Sequence, residues 1–539
     1  MESAPIHIET LLALLLVASG TAVIIKWVRV PYAVALVIAG LIIGLSNILP
    51  PVVMTPELVL LIFLPALLFE ASWNLDIKAL KRDWLSISSL ATIGVVVCMF
   101  SVAAILHFAG GMKTQTALLF GAMVSATDPV SVIALFRQMG IDKRLTMILE
   151  GESLFNDGTA VVLFKIVLAI VVAGGQLTVG GTAGSFCIVV LGGAVLGAVM
   201  GYLASRITSA FEDHLLEITL TMVTAYGAFL AAEHLKVSSV IAVVAAGIVV
   251  GNYGSRTGMS ASTRLAVNSF WEYAAFLVNS LLFLLIGLQV RMPVLLENAD
   301  IIGLGVVAVV VARMLVIYGI CPFVSTKRLP IPDKWRHLMF WGGLRGALVM
   351  ALALSLPLTF PDRELVINLT YGVVLFTLLV PGLTMEPLVR VLGMSPRVEA
   401  VEQYQKCKAL IISYRAEIQE IAKLKDEGRI SGTTHDAWKE HLQESIMSLS
   451  RKMDGLNLSD SCLESLQEQQ CKVHLLETRK DHISKLMKEG LLNHEAAHEL
   501  FLEIDHELEQ ISEGAIEYVE INDKSKPDLR QDESPRSAS

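Results

Sequence analysis

About thirteen stretches of roughly twenty apolar residues follow one another between short polar loops, and a run of that length crosses the hydrocarbon core as a helix. They lie near 6–26, 31–47, 55–73, 84–108, 115–137, 147–174, 184–206, 214–234, 238–252, 267–289, 300–322, 336–358 and 364–392. In lipid each helix satisfies its own backbone, so these runs predict an all-α polytopic membrane protein.

Lys and Arg in the loops set the expected orientation. Lys78, Lys81, Arg82, Arg137, Lys143, Arg144, Arg206, Arg264 and Arg336 follow odd-numbered segments, as do Lys26, Arg29, Arg256, Lys327, Arg328 and Lys334. Only Lys113, Lys236, Arg291 and Arg363 follow even-numbered ones. Positive loops stay in the cytoplasm, which puts the amino terminus outside and the carboxyl terminus inside. The first run follows Glu2 rather than a basic region and is long enough to span, so it reads as a span and not as a cleavable signal peptide. The six cysteines are scattered without a CxxC pair, suggesting neither a disulfide framework nor a cysteine zinc site. The net charge of −9 resides mostly after residue 395 and argues against nucleic-acid binding.

Near Ser395-Pro396 the composition changes abruptly. Residues 1–395 read as a transmembrane domain, 396–521 as a cytoplasmic helical regulatory domain, and 522–539, rich in Lys, Asp, Ser and Pro, as a disordered tail. In the second part, Lys423–Gly428 resembles Lys485–Gly490, and Ser431 and Asn493 follow as candidate caps. A duplicated helical hairpin would explain this, but shared helix composition explains it better. The stretch His494-Glu495-Ala496-Ala497-His498 matches the HExxH zinc pattern, but no Gly follows where a longer protease motif needs one and His506 falls two residues late. A solvated helix face accounts for it.

Charged residues inside the spans are the chemical signal. A carboxylate at the centre of a spanning helix costs about 3 kcal/mol or more. Asp128, Glu152 and Asp157 sit in such places. In segment 147–174, Glu152 pairs with Asn156 and Ser153 with Asp157 one turn apart, making a polar patch rich in the oxygen ligands that hard cations prefer. A purely structural polar cluster is the alternative. Pro129 removes a backbone donor and disfavours helical geometry at Asp128, so segment 115–137 is expected to break around Thr127 and Asp128. Gly342, Gly343 and Gly346 around Arg345 suggest a second break in segment 336–358, although close helix packing also uses glycines. Broken helices at a midplane site are a transporter device. These two segments lie seven apart, as expected if helices one to six recur inverted as eight to thirteen. Glu70 either approaches the ion or marks a helix end, Arg313 needs a buried anion such as Glu152, Lys165 reads as snorkelling, and Glu217 as interfacial.

With Leu64–Glu70, Ser125–Pro129, Gly151–Gly158, Ala312-Arg313 and Gly342–Ala347 together, the chain resembles the monovalent cation/proton antiporters of the sodium/proton exchanger family, in the branch with an Asn-Asp pair. The resemblance covers roughly residues 6–395. It implies that Asp157 alternately binds cation and proton, that Ser153, Thr127, Asp128 and Glu70 bind or shape the ion site, and that Glu152 and Arg313 form a structural ion pair. Asn156, counted with the ion site, would stand where the electrogenic branch has a second Asp, implying electroneutral exchange. Arg345 would offset the dipole of the second broken helix. The resemblance also implies a homodimer whose core moves like an elevator.

The expectation is therefore a secondary antiporter of the cell membrane, serving pH homeostasis, that exchanges Na+ for H+, with K+ or Li+ as further substrates. It is not expected to be an enzyme, to use a cofactor or a metal beyond the transported cation, or to bind nucleic acid; its partners are membrane lipid, a second copy and an unidentified ligand of the tail. A cation channel or sensor, and a membrane-anchored zinc peptidase built on His494 and His498, are the competing readings.

Overall fold

The computed structural model describes residues 8–25, 27, 30–46, 54–173, 179–208, 213–255, 258–325, 329–394, 396–455, 460–488, 491–493, 496–497, 500–501, 504 and 507–508. His494, His498, His506, the 522–539 tail and the loop cations Lys26, Arg29, Arg256, Lys327 and Arg328 lie outside them. Contacts divide the chain into two compact units, 1–395 and 396–539.

Every regular element among the described residues is helical. In the first unit these are α1 (Ile8–Ile25), α2 (Tyr32–Ser46), α3 (Leu64–Trp73), α4 (Ile77–Arg82), α5 (Trp84–Ser89), α6 (Val95–Phe108), α7 (Thr114–Val124), α8 (Val130–Met139) and α9 (Lys143–Ala173). There follow α10 (Val179–Thr208), α11 (His214–His234), α12 (Ser239–Val249), α13 (Ala261–Leu288), α14 (Met292–Glu297), α15 (Ala299–Val324), α16 (Asp333–Trp341), α17 (Ala347–Leu354) and α18 (Arg363–Val391). A π turn at Leu90–Gly94 joins α5 and α6 into one span, and another at Leu58–Phe63 leads into α3.

Seven of these helical stretches are long and apolar enough to cross a membrane, and the other apolar helices are shorter. Segments 115–137 and 336–358 are interrupted where expected: α7 and α8 part at Ser125–Pro129, and α16 and α17 part at Gly342–Gly346. The cause is local, because proline and glycine leave too few helical bonds to carry the chain through.

Small residues allow close packing. A side chain at Gly40 of α2 would meet the Leu288 backbone nitrogen at 3.0 Å and the Gly287 Cα of α13 at 3.1 Å, so these two helices meet backbone to backbone. On one face, buried Asp83 gathers three segments. Its carboxylate accepts from Arg144 Nη2 at 2.7 Å and from Arg82 Nε at 3.0 Å, while Arg144 Nη1 donates to the Pro330 carbonyl. Glu217 lies in the first turn of α11, near the start of its span as read from the sequence, and is 2% exposed because neighbouring helices cover it.

In the second unit, α19 (Pro396–Asp426) and α20 (Gly432–Asp454) form a hairpin, and α21 (Asp460–Lys488) follows. Gly428 adopts φ +70°, the left-handed stop that glycine takes without a Cβ penalty. Ser431 Oγ then accepts the Thr434 amide at 3.2 Å, capping α20. Asn493 repeats the device, accepting the Ala496 amide at 2.8 Å, and Leu476, Ile483, Ala497 and Ile504 make a small core there.

Candidate functional site

The two breaks meet. The Asp128 amide donates to the Leu344 carbonyl at 2.9 Å, so each interrupted helix satisfies a backbone group of the other at the crossing. Both segments are buried there, with Thr127 at 5% and Arg345 at 1% exposure. Gly346 makes the approach possible: a Cβ on it would stand 2.6 Å from the Asp128 Cβ and 2.8 Å from its carboxyl carbon.

Helix α9 runs alongside the first break and holds it residue by residue. Ser153 Oγ donates to the Thr127 carbonyl at 2.6 Å. Asn156 Nδ2 donates to the Thr127 hydroxyl at 2.6 Å, and Asn156 Oδ1 accepts the Thr127 amide at 3.3 Å. Asp128 Oδ1 accepts the Val130 amide at 3.1 Å at the start of α8. A non-helical turn inside a span thus keeps its backbone groups satisfied.

The patch read from the sequence is divided by helix geometry. At about 100° per residue, Glu152 and Asn156 lie along one side of the patch and Ser153 and Asp157 along the next. Ser153 and Asp157 line a cavity of about 410 Å³ together with Glu70, Thr127 and Asp128. Asn156 is not among the lining residues; both ends of its amide engage Thr127. Glu152 turns away to Arg313 of α15, which binds both carboxylate oxygens and donates to the Met339 carbonyl at 2.9 Å. Glu152 and Arg313 are 1% and 6% exposed.

Arg345 donates to the Gly343 carbonyl at 2.7 Å and to Leu344 at 3.4 Å, placing a cation on carbonyls that the broken helix leaves unused. Its amide donates to Thr377 Oγ1 of α18 at 3.1 Å. Glu70 accepts from Asn74 Nδ2 at 2.8 Å near the end of α3 while also lining the cavity, so it fits both alternatives at once.

Four polar lining residues were not read as site residues: Arg137, Glu150, Glu272 and Asn279. Arg137 Nη2 lies 3.6 Å from the Glu150 carboxylate. Spacing carried the missed signal. Glu150, Ser153, Leu154 and Asp157 fall at i, i+3, i+4 and i+7, one face of α9, and Glu272, Ala275, Phe276 and Asn279 repeat that spacing on α13. The cavity therefore offers carboxylates and a hydroxyl to a small hard cation. Among the described residues no cluster of three or more His, Cys, Asp or Glu is arranged to hold a resident metal.

Residues 11–391 match the sodium/hydrogen exchanger transmembrane family. The chain is 36% identical over 497 residues to the low-affinity Na+/H+ antiporter NhaS1 of Synechocystis sp., covering 90% of this chain and 94% of that one. It is 38% identical over 498 residues to the Na+/H+ antiporter ApNhaP of Aphanothece halophytica, with the same coverage of both. Among solved structures, the sodium proton antiporter MjNhaP1 of Methanocaldococcus jannaschii superposes with a TM-score of 0.58 at 20% identity, over 70% of this chain and 98% of that one. That likeness is one of fold.

Proposed function

The chain belongs to the sodium/hydrogen exchanger family, and from that premise we propose how its site exchanges the two ions. The protein is a multi-pass membrane antiporter of Na+ and H+, a transporter and not an enzyme. One observation carries the mechanism: Asp157 lines a cavity inside the membrane unit, beside the crossing of two broken helices.

Exchange follows from competition at that carboxylate. A proton on Asp157 removes the charge that holds a cation, and a bound cation disfavours the proton. Ser153, Thr127 and Asp128 supply the neighbouring oxygens, Glu70 lines the approach, and Asn156 fixes the Thr127 turn. Asn156 is neutral, and with Asp157 as the one carboxylate that changes its load, one cation trades for one proton and the exchange is electroneutral. Glu152 and Arg313 hold α9 to α15, and Arg345 stabilises the second break.

The test is proton movement in proteoliposomes carrying a pH gradient, with Na+, K+ or Li+ added in turn. Collapse on adding Na+, unaffected by clamping the voltage, is the expected result. Cation flux without coupled proton movement would replace the antiporter by a channel.

The supporting frame belongs to the same proposal. We place about thirteen spans in inverted repeats in the membrane, reading the helices too short for the span criterion as partners or halves of broken ones. From the loop charges we read the amino terminus as outside and residues 396–521 as cytoplasmic, and we take the protein as a homodimer of the cell membrane. Ile188, Leu191, Val195 and Val199 make an exposed apolar stripe along α10, suited to lipid or a second copy. A dimer mass in mild detergent, and protease access to 396–521 from the cytoplasmic side only, are expected; a monomer or cleavage from outside would overturn these placements. The second unit is regulatory: truncation after residue 396 shifts the pH or ion dependence of exchange, and superimposable transport curves would remove that role.

A further inference from the structure

Along α9 the cavity lining stops at Asp157: the lining residues on this helix are Glu150, Ser153, Leu154 and Asp157. Beyond Asp157 the same helix is covered by the first turns of α12. A Cβ on Gly158 would lie 2.7 Å from Ile241 Cγ1 and 3.6 Å from Val240 Cγ1, so Ile241 fills the notch that this glycine leaves. Ile241 and Val240 are 6% and 1% exposed.

A polar cluster closes the far end of this seam. Lys165 stands eight residues past Asp157, about 12 Å along the helix axis. Its Nζ meets Glu233 Oε1 at 2.6 Å, and the same oxygen accepts Ser239 Oγ at 2.7 Å. Glu233 belongs to α11 and Ser239 to α12, so one carboxylate ties the site helix to α11 and to the α12 start that covers it. The sequence reading of Lys165 as a snorkelling residue explains its exposure of about half its side chain, but not this double engagement.

We propose that Lys165, Glu233 and Ser239 form a latch that holds shut the face opposite the cavity, and that the latch opens in each exchange cycle. This rests on the antiporter reading, since an ion delivered to Asp157 through the cavity leaves on the other side only when α9 and α12 part. The ion pair supplies the directional part of the closure, and the Gly158–Ile241 packing excludes water. Packed seams of this kind switch between discrete arrangements rather than deforming gradually.

Two measurements on the full-length chain test the latch. In the first, Lys165→Cys and Glu233→Cys are combined and bridged with a short bis-methanethiosulfonate. Exchange in proteoliposomes falls at least about tenfold, as expected when one of two required states is withheld. It recovers on reduction, and the wild-type chain with its own cysteines, treated alike, is unaffected. Normal exchange by the bridged protein would overturn the proposal.

In the second, Val240→Cys reports opening through labelling by a membrane-impermeant maleimide. Adding Lys165→Gln or Glu233→Gln speeds labelling about fivefold or more by shifting the population toward the open seam. The charge swap Lys165→Glu with Glu233→Lys returns it toward the original rate. Unchanged labelling in both neutral variants would also overturn the proposal. This readout needs no transport: absent wild-type exchange would sink the antiporter reading, while Val240→Cys would still decide the latch.

Discussion

Replacing Asp157 with asparagine abolishes cation-coupled proton movement and leaves the protein folded. The two side chains have nearly the same shape, so the cavity wall survives. What disappears is a charge that a cation can neutralise and an oxygen that a proton can occupy. At about 4 Å and an effective dielectric of about 20, such a charge pair is worth roughly 4 kcal/mol. A loss of that size weakens cation binding at least about 100-fold even if neighbouring oxygens compensate for part of it. Gradient collapse on adding Na+ should fall to the level of empty liposomes, while the thermal unfolding curve in detergent stays near that of the wild type. Exchange retained above about a tenth of normal would be larger than that loss permits and would remove Asp157 from the centre of the mechanism. Ser153→Ala makes a useful contrast, because it loses a hydroxyl that already donates to the Thr127 carbonyl and should weaken exchange without ending it.

Arg313→Ala should damage the fold itself. It leaves Glu152, 1% exposed, as a buried charge without its guanidinium, and it takes a donor from the Met339 carbonyl. Breaking a buried pair from one side costs about 3–5 kcal/mol. The expected outcome is a large fall in the unfolding temperature or in the yield of monodisperse protein. Neutralising both partners, with Glu152→Gln and Arg313→Met, should be milder than Arg313→Ala alone, because no stranded charge remains. That non-additivity is the signature of a coupled pair. Equal stability of Arg313→Ala and the wild type, within about 1 kcal/mol, would mean that Glu152 finds another partner and that the pair is dispensable.

What the sequence disclosed follows from the reach of local rules. Pro129 and the glycines at 342, 343 and 346 act on their own backbone, so both interruptions could be anticipated from neighbours in the chain. Arg313 demanded an anion wherever it lay, and few intramembrane carboxylates were available to supply one, which led to Glu152. The roles within the polar patch were harder to assign. Glu152, Ser153, Asn156 and Asp157 share one stretch of chain, but their partners come from α15, the first break and the cavity, and that division depends on how α9 is rotated among its neighbours.

Glu150 and Glu272 escaped for a related reason. Their shared role shows only when α9 and α13 line a common space. The burial of Glu217 was not readable from its place near the start of a span, because it is settled by what packs against the first turn of α11. The Lys165–Glu233 pair joins residues 68 apart in the chain, a distance over which periodicity carries no information.

The bond from the Asp128 amide to the Leu344 carbonyl has a consequence for how such a protein can diversify. Both partners are main-chain atoms, so side-chain substitution at either position leaves the bond intact, with proline at 128 the exception that removes the donor. This one bond of the crossing is thereby independent of side-chain identity at positions 128 and 344. Variation at these two positions can therefore proceed without loss of the main-chain link, whereas Ser153, Asn156 and Gly346, which hold the crossing through a side chain or the lack of one, are not free in this way.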